Sequence, residues 1–196
     1  MSKLTQALEE IISWLRLNYP EAISELRQGL RNKQIEEITK DFPFVLPKEV
    51  YELYQFCDGN IRLGNYDLIM NPLELALEVS NSWEWAKKNP SLDSHILTIF
   101  HGDGHDVYYV ICDQQEKDLS PIWSAWASHG CDASIYASSL TNLILTVAEC
   151  YREGAYYTQF DEEGDLEIGT NLETFEKIFQ KYNPEQIDAW REIWKD

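Results

Sequence analysis

Ile96-Leu97-Thr98-Ile99-Phe100-His101-Gly102-Asp103-Gly104-His105-Asp106-Val107-Tyr108-Tyr109-Val110-Ile111 decides the fold class. Apolar, β-branched and aromatic residues run into a Gly-Asp-Gly turn and resume beyond it, the pattern of two antiparallel strands joined by a short hairpin. The hairpin is expected over 95–112. After a polar turn at 114–118, Pro121-Ile122-Trp123-Ser124-Ala125-Trp126 supplies a third strand. Its bulky residues fall on both faces, so it is expected to be covered on both sides near its middle. Upstream, Tyr66-Asp67-Leu68-Ile69-Met70 supplies one short strand.

Helices surround these strands. Leu4, Leu8, Ile11, Ile12 and Leu15 form one stripe over 3–17, with Ser2 as cap and Asn18-Tyr19-Pro20 as terminator. Pro20 is expected to open a second helix carrying Ile23, Leu26 and Leu30, and a shorter one follows over 33–40. Asp41-Phe42-Pro43-Phe44-Val45-Leu46-Pro47 enters extended, and Pro47 begins a helix to about 57 with Glu49 near its positive end. Asp58-Gly59-Asn60 stops it. Asn71-Pro72 launches a helix expected to reach about 87. Ser138 or Ser139 caps another to about 153, with Leu140, Leu143, Ile144, Val147 and Tyr151 inward.

The last section differs. Residues 155–160 and 165–168 flank Asp161-Glu162-Glu163-Gly164 as a small hairpin. Thr170-Asn171-Leu172-Glu173 has capping-box spacing before Phe175, Ile178 and Phe179, and Asn183-Pro184 opens a final helix with Ile187, Trp190 and Trp194. Strands and helices segregate along the chain, so the fold class is α+β: a central antiparallel meander flanked by helices. The 196 residues are expected to form one domain, with a core over about 40–153, a helical cap over 1–40 and a hairpin-plus-helices extension over 154–196.

Charge narrows the function classes. The chain carries 34 Asp and Glu against 16 Lys and Arg, a formal net charge of −18. Such a surface repels phosphate backbones and anionic membranes, so neither nucleic acid nor membrane is an expected partner. Cys57, Cys112, Cys131 and Cys150 show no CxxC spacing and read as buried apolar residues in a reducing compartment. No apolar run suits a signal peptide or a membrane span, so a cytoplasmic location is expected. The sequence favours no oligomeric state.

Phe42, Leu46-Pro47, Val50-Tyr51, Tyr54 and Asp58-Gly59-Asn60 together resemble the opening of the SMI1/KNR4, or SUKH, superfamily. Asn71-Pro72-Leu73, the hairpin Ile96–Val110 with Asp106-Val107-Tyr108, Pro121-Ile122-Trp123 and Ala137-Ser138-Ser139-Leu140 follow in that family's order. The resemblance spans about 40–150. His101 and His105 depart from it, since small and acidic residues would be expected in that turn. It implies an α+β fold, no enzyme activity and a protein-binding role; many bacterial members resemble immunity proteins and fungal members regulatory scaffolds.

Several clusters invite chemistry. His101, Asp103, His105 and Asp106 have the ligand types for zinc, but all come from one turn, where Gly102 and Gly104 supply backbone freedom for a solvated loop. His129-Gly130-Cys131-Asp132 is compact, yet neighbours in a loop seldom reach nucleophile–base geometry. Gly102-x-Gly104 opens no helix after a strand, which removes the dinucleotide reading. Asp161–Glu167 is acidic without the alternating ligand pattern of a calcium loop. No catalytic, cofactor-binding or metal residue is therefore assigned, and no cofactor is expected.

Seven Trp and eleven Tyr exceed what a core of this size obviously needs. Trp83, Trp85, Trp123, Trp126, Tyr156 and Tyr157 are the candidates for partial exposure, and aromatics set among acids suit a protein interface. The partner-binding residues expected are His101, Asp103, His105, Asp106, Trp123 and Trp126. The leading expectation is an acidic, non-enzymatic module that binds a protein, foremost an immunity protein covering a basic toxin domain such as a nuclease. The alternatives are a regulatory scaffold of the same fold without a toxin, and a metal-dependent hydrolase built on the His101–Asp106 cluster.

Overall fold

A computed structural model describes residues 1–64, 68–82, 96–102, 106–125 and 133–187. Among these the helices are α1 (Lys3–Asn18), α2 (Asn32–Ile38), α3 (Lys48–Phe56), α4 (Leu73–Ser82), α5 (Leu140–Arg152) and α6 (Leu172–Tyr182). The strands are β1 (Arg62–Leu63), β2 (Leu68–Met70), β3 (Ile96–His101), β4 (Val107–Ile111), β5 (Ile122–Ala125), β6 (Ala133–Ala137), β7 (Tyr156–Phe160) and β8 (Leu166–Thr170). The first six strands form one antiparallel sheet in sequence order, and β7 and β8 form a separate two-stranded arm. The fold is α+β, as the segregation of elements predicts. No helix among the described residues is long and apolar enough to cross a membrane.

Local signals explain the helix starts. The Ser2 hydroxyl accepts from Thr5 N–H at 3.0 Å, and Ser139 accepts from Asn142 N–H at 3.0 Å. All five residues of the α1 stripe are buried, as are all five of the α5 stripe. At the end of α3, Gly59 (φ +87°) turns the chain so closely past Pro72 that a Cβ there would lie 2.5 Å from the Pro72 nitrogen. No other residue type fits that turn.

Three expectations need correction. The helix expected from Pro20 is only a 3-10 turn, Pro20–Ile23. Beyond it the backbone bonds sideways to the end of α3: Leu30 N–H donates to Tyr54 O at 2.8 Å and Asp58 N–H to Arg27 O at 3.3 Å. Gly29 lies flat against the Gln55 carbonyl, where any side chain would collide. Tertiary pairing thus replaces helical hydrogen bonds, while Ile23, Leu26 and Leu30 still pack on the core. The sheet also gains β1 and β6, strands of two and five residues too weakly patterned to stand out. The cap of α6 is Asn171, which accepts from Thr174 N–H at 3.1 Å, because Thr170 is still paired in β8. Glu49 stands in the first turn of α3, as expected, and serves a second helix as well. Buried there, it accepts from Leu140 N–H (3.1 Å), Thr141 N–H (2.8 Å) and Oγ1 (2.9 Å), and Ser120 N–H (2.7 Å). It therefore neutralises the positive start of α5. Asp58 does the same for α4 through Leu73 N–H at 2.9 Å, while Arg27 pairs with it at 2.8 Å.

One core joins the inner face of the sheet to α1, α3, α5 and α6. Leu97, Phe100, Tyr108, Val110 and Ile122 point into it, and a bulge between Thr98 and Phe100 lets Ile99 join them. A chain of rings crosses this core: Tyr108, Tyr136, Phe179, Phe175, Tyr156, Tyr151 and Trp14, with successive centroids 4.4–5.8 Å apart. It ties the central sheet through α6 to the base of the arm and on to α1. This chain of rings takes up one Trp and four Tyr with two Phe, and each such pair adds about 0.5–1.5 kcal/mol beyond its buried area.

Candidate functional site

The second face of the central sheet carries the residues that the sequence singles out. Residues paired across antiparallel strands point the same way. The register puts Ile69, His101, Val107, Ala125 and Ala133 in one row, and Thr98, Tyr109, Trp123 and Ile135 in the next. Ile96, Tyr109 and Ala125 are buried at its centre, with Val107, Ile111 and Trp123 half-buried around them. The Tyr109 and Trp123 rings are nearly parallel (15°) with centroids 6.5 Å apart. Burial pushes the Tyr109 phenol up to about 12. Strand β5 is covered on both faces, as its sequence predicts.

His101 ends β3 and is held from the side. Its Nδ1 lies 2.7 Å from Asn71 Oδ1. The Asn71 amide nitrogen donates to Thr98 O at 3.0 Å, which leaves Oδ1 as acceptor and puts the proton on His101 Nδ1. Asn71 is a buried junction: its N–H also donates to Ile99 O, and its carbonyl accepts from Tyr54 Oη at 3.2 Å. The histidine therefore has a local structural partner. Gly102 N–H donates to Asp106 O at 2.9 Å and closes the hairpin neck. Burial, and next the charge of Asp106, raise the Tyr108 phenol. Among the described residues no three His, Cys, Asp or Glu side chains converge to hold a metal.

The structure brings His101, Asp106 and Trp123 onto or beside one sheet face. Asp103, His105 and Trp126 lie outside the described residues, as do Trp83, Trp85, Trp190, Trp194 and the His129–Asp132 cluster. Cys57, Cys112 and Cys150 are buried thiols. Burial pushes Cys57 and Cys112 up to about 12 and raises Cys150 as well, so none is a ready nucleophile.

Two other surfaces emerge. Between α1 and α5 lies a groove of about 790 Å³ floored by Trp14, Ala148 and Tyr151, with exposed Leu17 at its lip. Arg152 borders it, held by Glu10 at 3.1 Å and Glu149 at 3.3 Å. Glu149 is buried, which pushes its carboxyl up. Hydrogen bonds from Lys181 (2.7 and 2.8 Å) and Tyr182 (2.5 Å), with the charges of Lys181 and Arg152, outweigh this and hold it below its ordinary value.

The arm is the other surface. Its core-side face runs Tyr156, Thr158, Phe160 on β7 against Thr170, Ile168, Leu166 on β8. Tyr156 is 4% exposed at the base and Phe160 is 74% exposed at the tip. Of the two arm tyrosines expected to be partly exposed, Tyr157 is so and Tyr156 is core. Sequence patterning assigns Phe160 no role. Its signal is charge context: the 24 residues 153–176 contain eight Asp or Glu and no Lys, Arg or His.

Compared with protein-family models and with curated proteins, the chain matches none.

Proposed function

We propose that this chain is an acidic protein-binding module that covers a basic partner domain, in the way that its resemblance to the SMI1/KNR4 superfamily implies for immunity proteins. The observation that supports it is the net charge of −18. Acidic side chains with structural tasks, such as Glu49 and Asp58, are few, and most of the remainder stand exposed. A field of this sign accelerates encounter with a Lys- and Arg-rich surface and repels nucleic acid competing for it. A basic nuclease domain is the fitting target, because the surface that attracts phosphates attracts carboxylates.

The test is co-expression with a basic toxin domain encoded beside its gene. Host survival together with a salt-sensitive complex in gel filtration is expected. Host death with no complex at low ionic strength would contradict the reading.

A further inference from the structure

We infer that the free end of the β7–β8 arm is the docking surface of this module: Phe160 inserts into an apolar recess of a basic protein partner, and the surrounding carboxylates face that partner's cations. The inference rests on the binding-module reading above and assigns it a place.

The arm is built for exposure. Its core-side face is buried where Tyr156 and Ile168 meet the ring chain through Phe175 and Tyr151, and it continues past the core to Phe160 and half-buried Leu166. An aromatic ring left 74% exposed at a strand end contributes little to folding. It supplies a rigid contact for a partner at low entropic cost. The turn is ordered: Asp161 Oδ1 accepts from Glu163 N–H (2.9 Å) and Asp165 N–H (2.8 Å), and Asp161 N–H donates to Asp165 O at 2.9 Å. Phe160 is thus presented on a pre-formed hairpin.

Charge names the occupant. Asp161, Glu162, Glu163 and Asp165 follow the ring in the turn, Glu167 lies on the opposite face of β8 where it accepts from Gln159 Nε2 at 2.7 Å, and none of the five has an ion-pair partner among the described residues. Elsewhere Glu37, Asp58, Asp113, Asp118 and Glu173 each have a cation within 3.1 Å. An anionic ligand is excluded by repulsion, and a second copy would bring carboxylates against carboxylates. A basic surface with an apolar recess satisfies both halves of the tip.

The experiment compares two peptides of equal length and charge, one alternating Lys and Leu, the other Lys and Ser, titrated into the full chain at low ionic strength. The Lys/Leu peptide is expected to bind at least about tenfold tighter, and Phe160→Ser to remove that advantage. Neutralising the tip (Glu162→Gln, Glu163→Gln, Asp165→Asn) is expected to weaken both peptides and flatten their salt dependence. Neutralising exposed Glu9, Glu21 and Glu25 to Gln changes little. Asp161 is left intact because it holds the turn, and an unchanged melting temperature certifies each variant. Equal losses from the two triple variants, or a Phe160→Ser protein that keeps the Lys/Leu preference, would overturn the placement while leaving the binding-module reading intact. Concentration-dependent dimerisation abolished by Phe160→Ser would also overturn it, giving the arm to a second copy. Wild-type protein that binds neither peptide would overturn the binding-module reading itself.

Discussion

The central hairpin β3–β4 and the arm β7–β8 begin from similar local instructions. Both alternate apolar and polar or aromatic residues around a glycine-bearing acidic turn, Gly102-Asp103-Gly104 in one and Asp161-Glu162-Glu163-Gly164 in the other. Their fates differ through what lies beside them. β4 and β5 are flanked by strands on both sides and bury residues on both faces, down to a fully buried Tyr109 on the second face. The arm has no third strand among the described residues and buries its core-side face only at the base. Alternation specifies a strand; burial is decided by neighbours that the strand's own sequence does not encode.

The largest expected contrast is between two phenylalanines. Phe100 in β3 is fully buried, and Phe100→Ala is expected to cost about 3–5 kcal/mol in urea unfolding. Phe160→Ala, at 74% exposure, should stay within about 0.5 kcal/mol of wild type. Comparable losses at both sites would show that the arm tip is part of the core.

Two glycines sharpen the same contrast. Gly59 (φ +87°) and Gly164 (φ +90°) both have left-handed backbones, but only Gly59 faces a wall, the Pro72 backbone. A methyl group added at Gly164 would meet nothing within 4 Å. Gly164→Ala should therefore cost about 1 kcal/mol of backbone strain alone. Gly59→Ala adds a collision and should cost about 2–3 kcal/mol. Equal effects would mean that the loop before α4 can yield as freely as the arm turn.

The smallest effect concerns pH. The Glu149 carboxyl is held below its ordinary value, so its stabilisation is fully present above the unfolded carboxyl range and fades as pH falls through its folded value. The stability gap between wild type and Glu149→Gln should shrink on acidification below about pH 4.5 in thermal melts. A gap that widens would contradict the Lys181–Glu149–Tyr182 network.

Much of the architecture is legible before any coordinates. Ser2 and Ser139 announce α1 and α5 because their caps are local, and the hairpin announces itself by composition. What escapes depends on distant partners. Residues 24–31 follow α3 instead of their own helical pattern. β6 is a short Ala-Ser-Ile-Tyr-Ala run that becomes a strand by pairing with β5. Glu49 looks like a dipole complement for α3, and only the fold brings it to α5. The candidate site is less legible still. His101 is visible as a histidine in a turn, but its bond to Asn71 spans thirty residues. Phe160 looks like any aromatic strand residue until its burial is known.

Chemical-shift mapping of the isotope-labelled chain with the Lys/Leu peptide puts the two hairpins in direct competition. The largest amide perturbations should fall at 157–168, with 96–101 and 107–111 nearly silent. Perturbations centred on Val107, Tyr109 and Trp123 would instead assign binding to the second face of the central sheet and contradict a docking role for the arm.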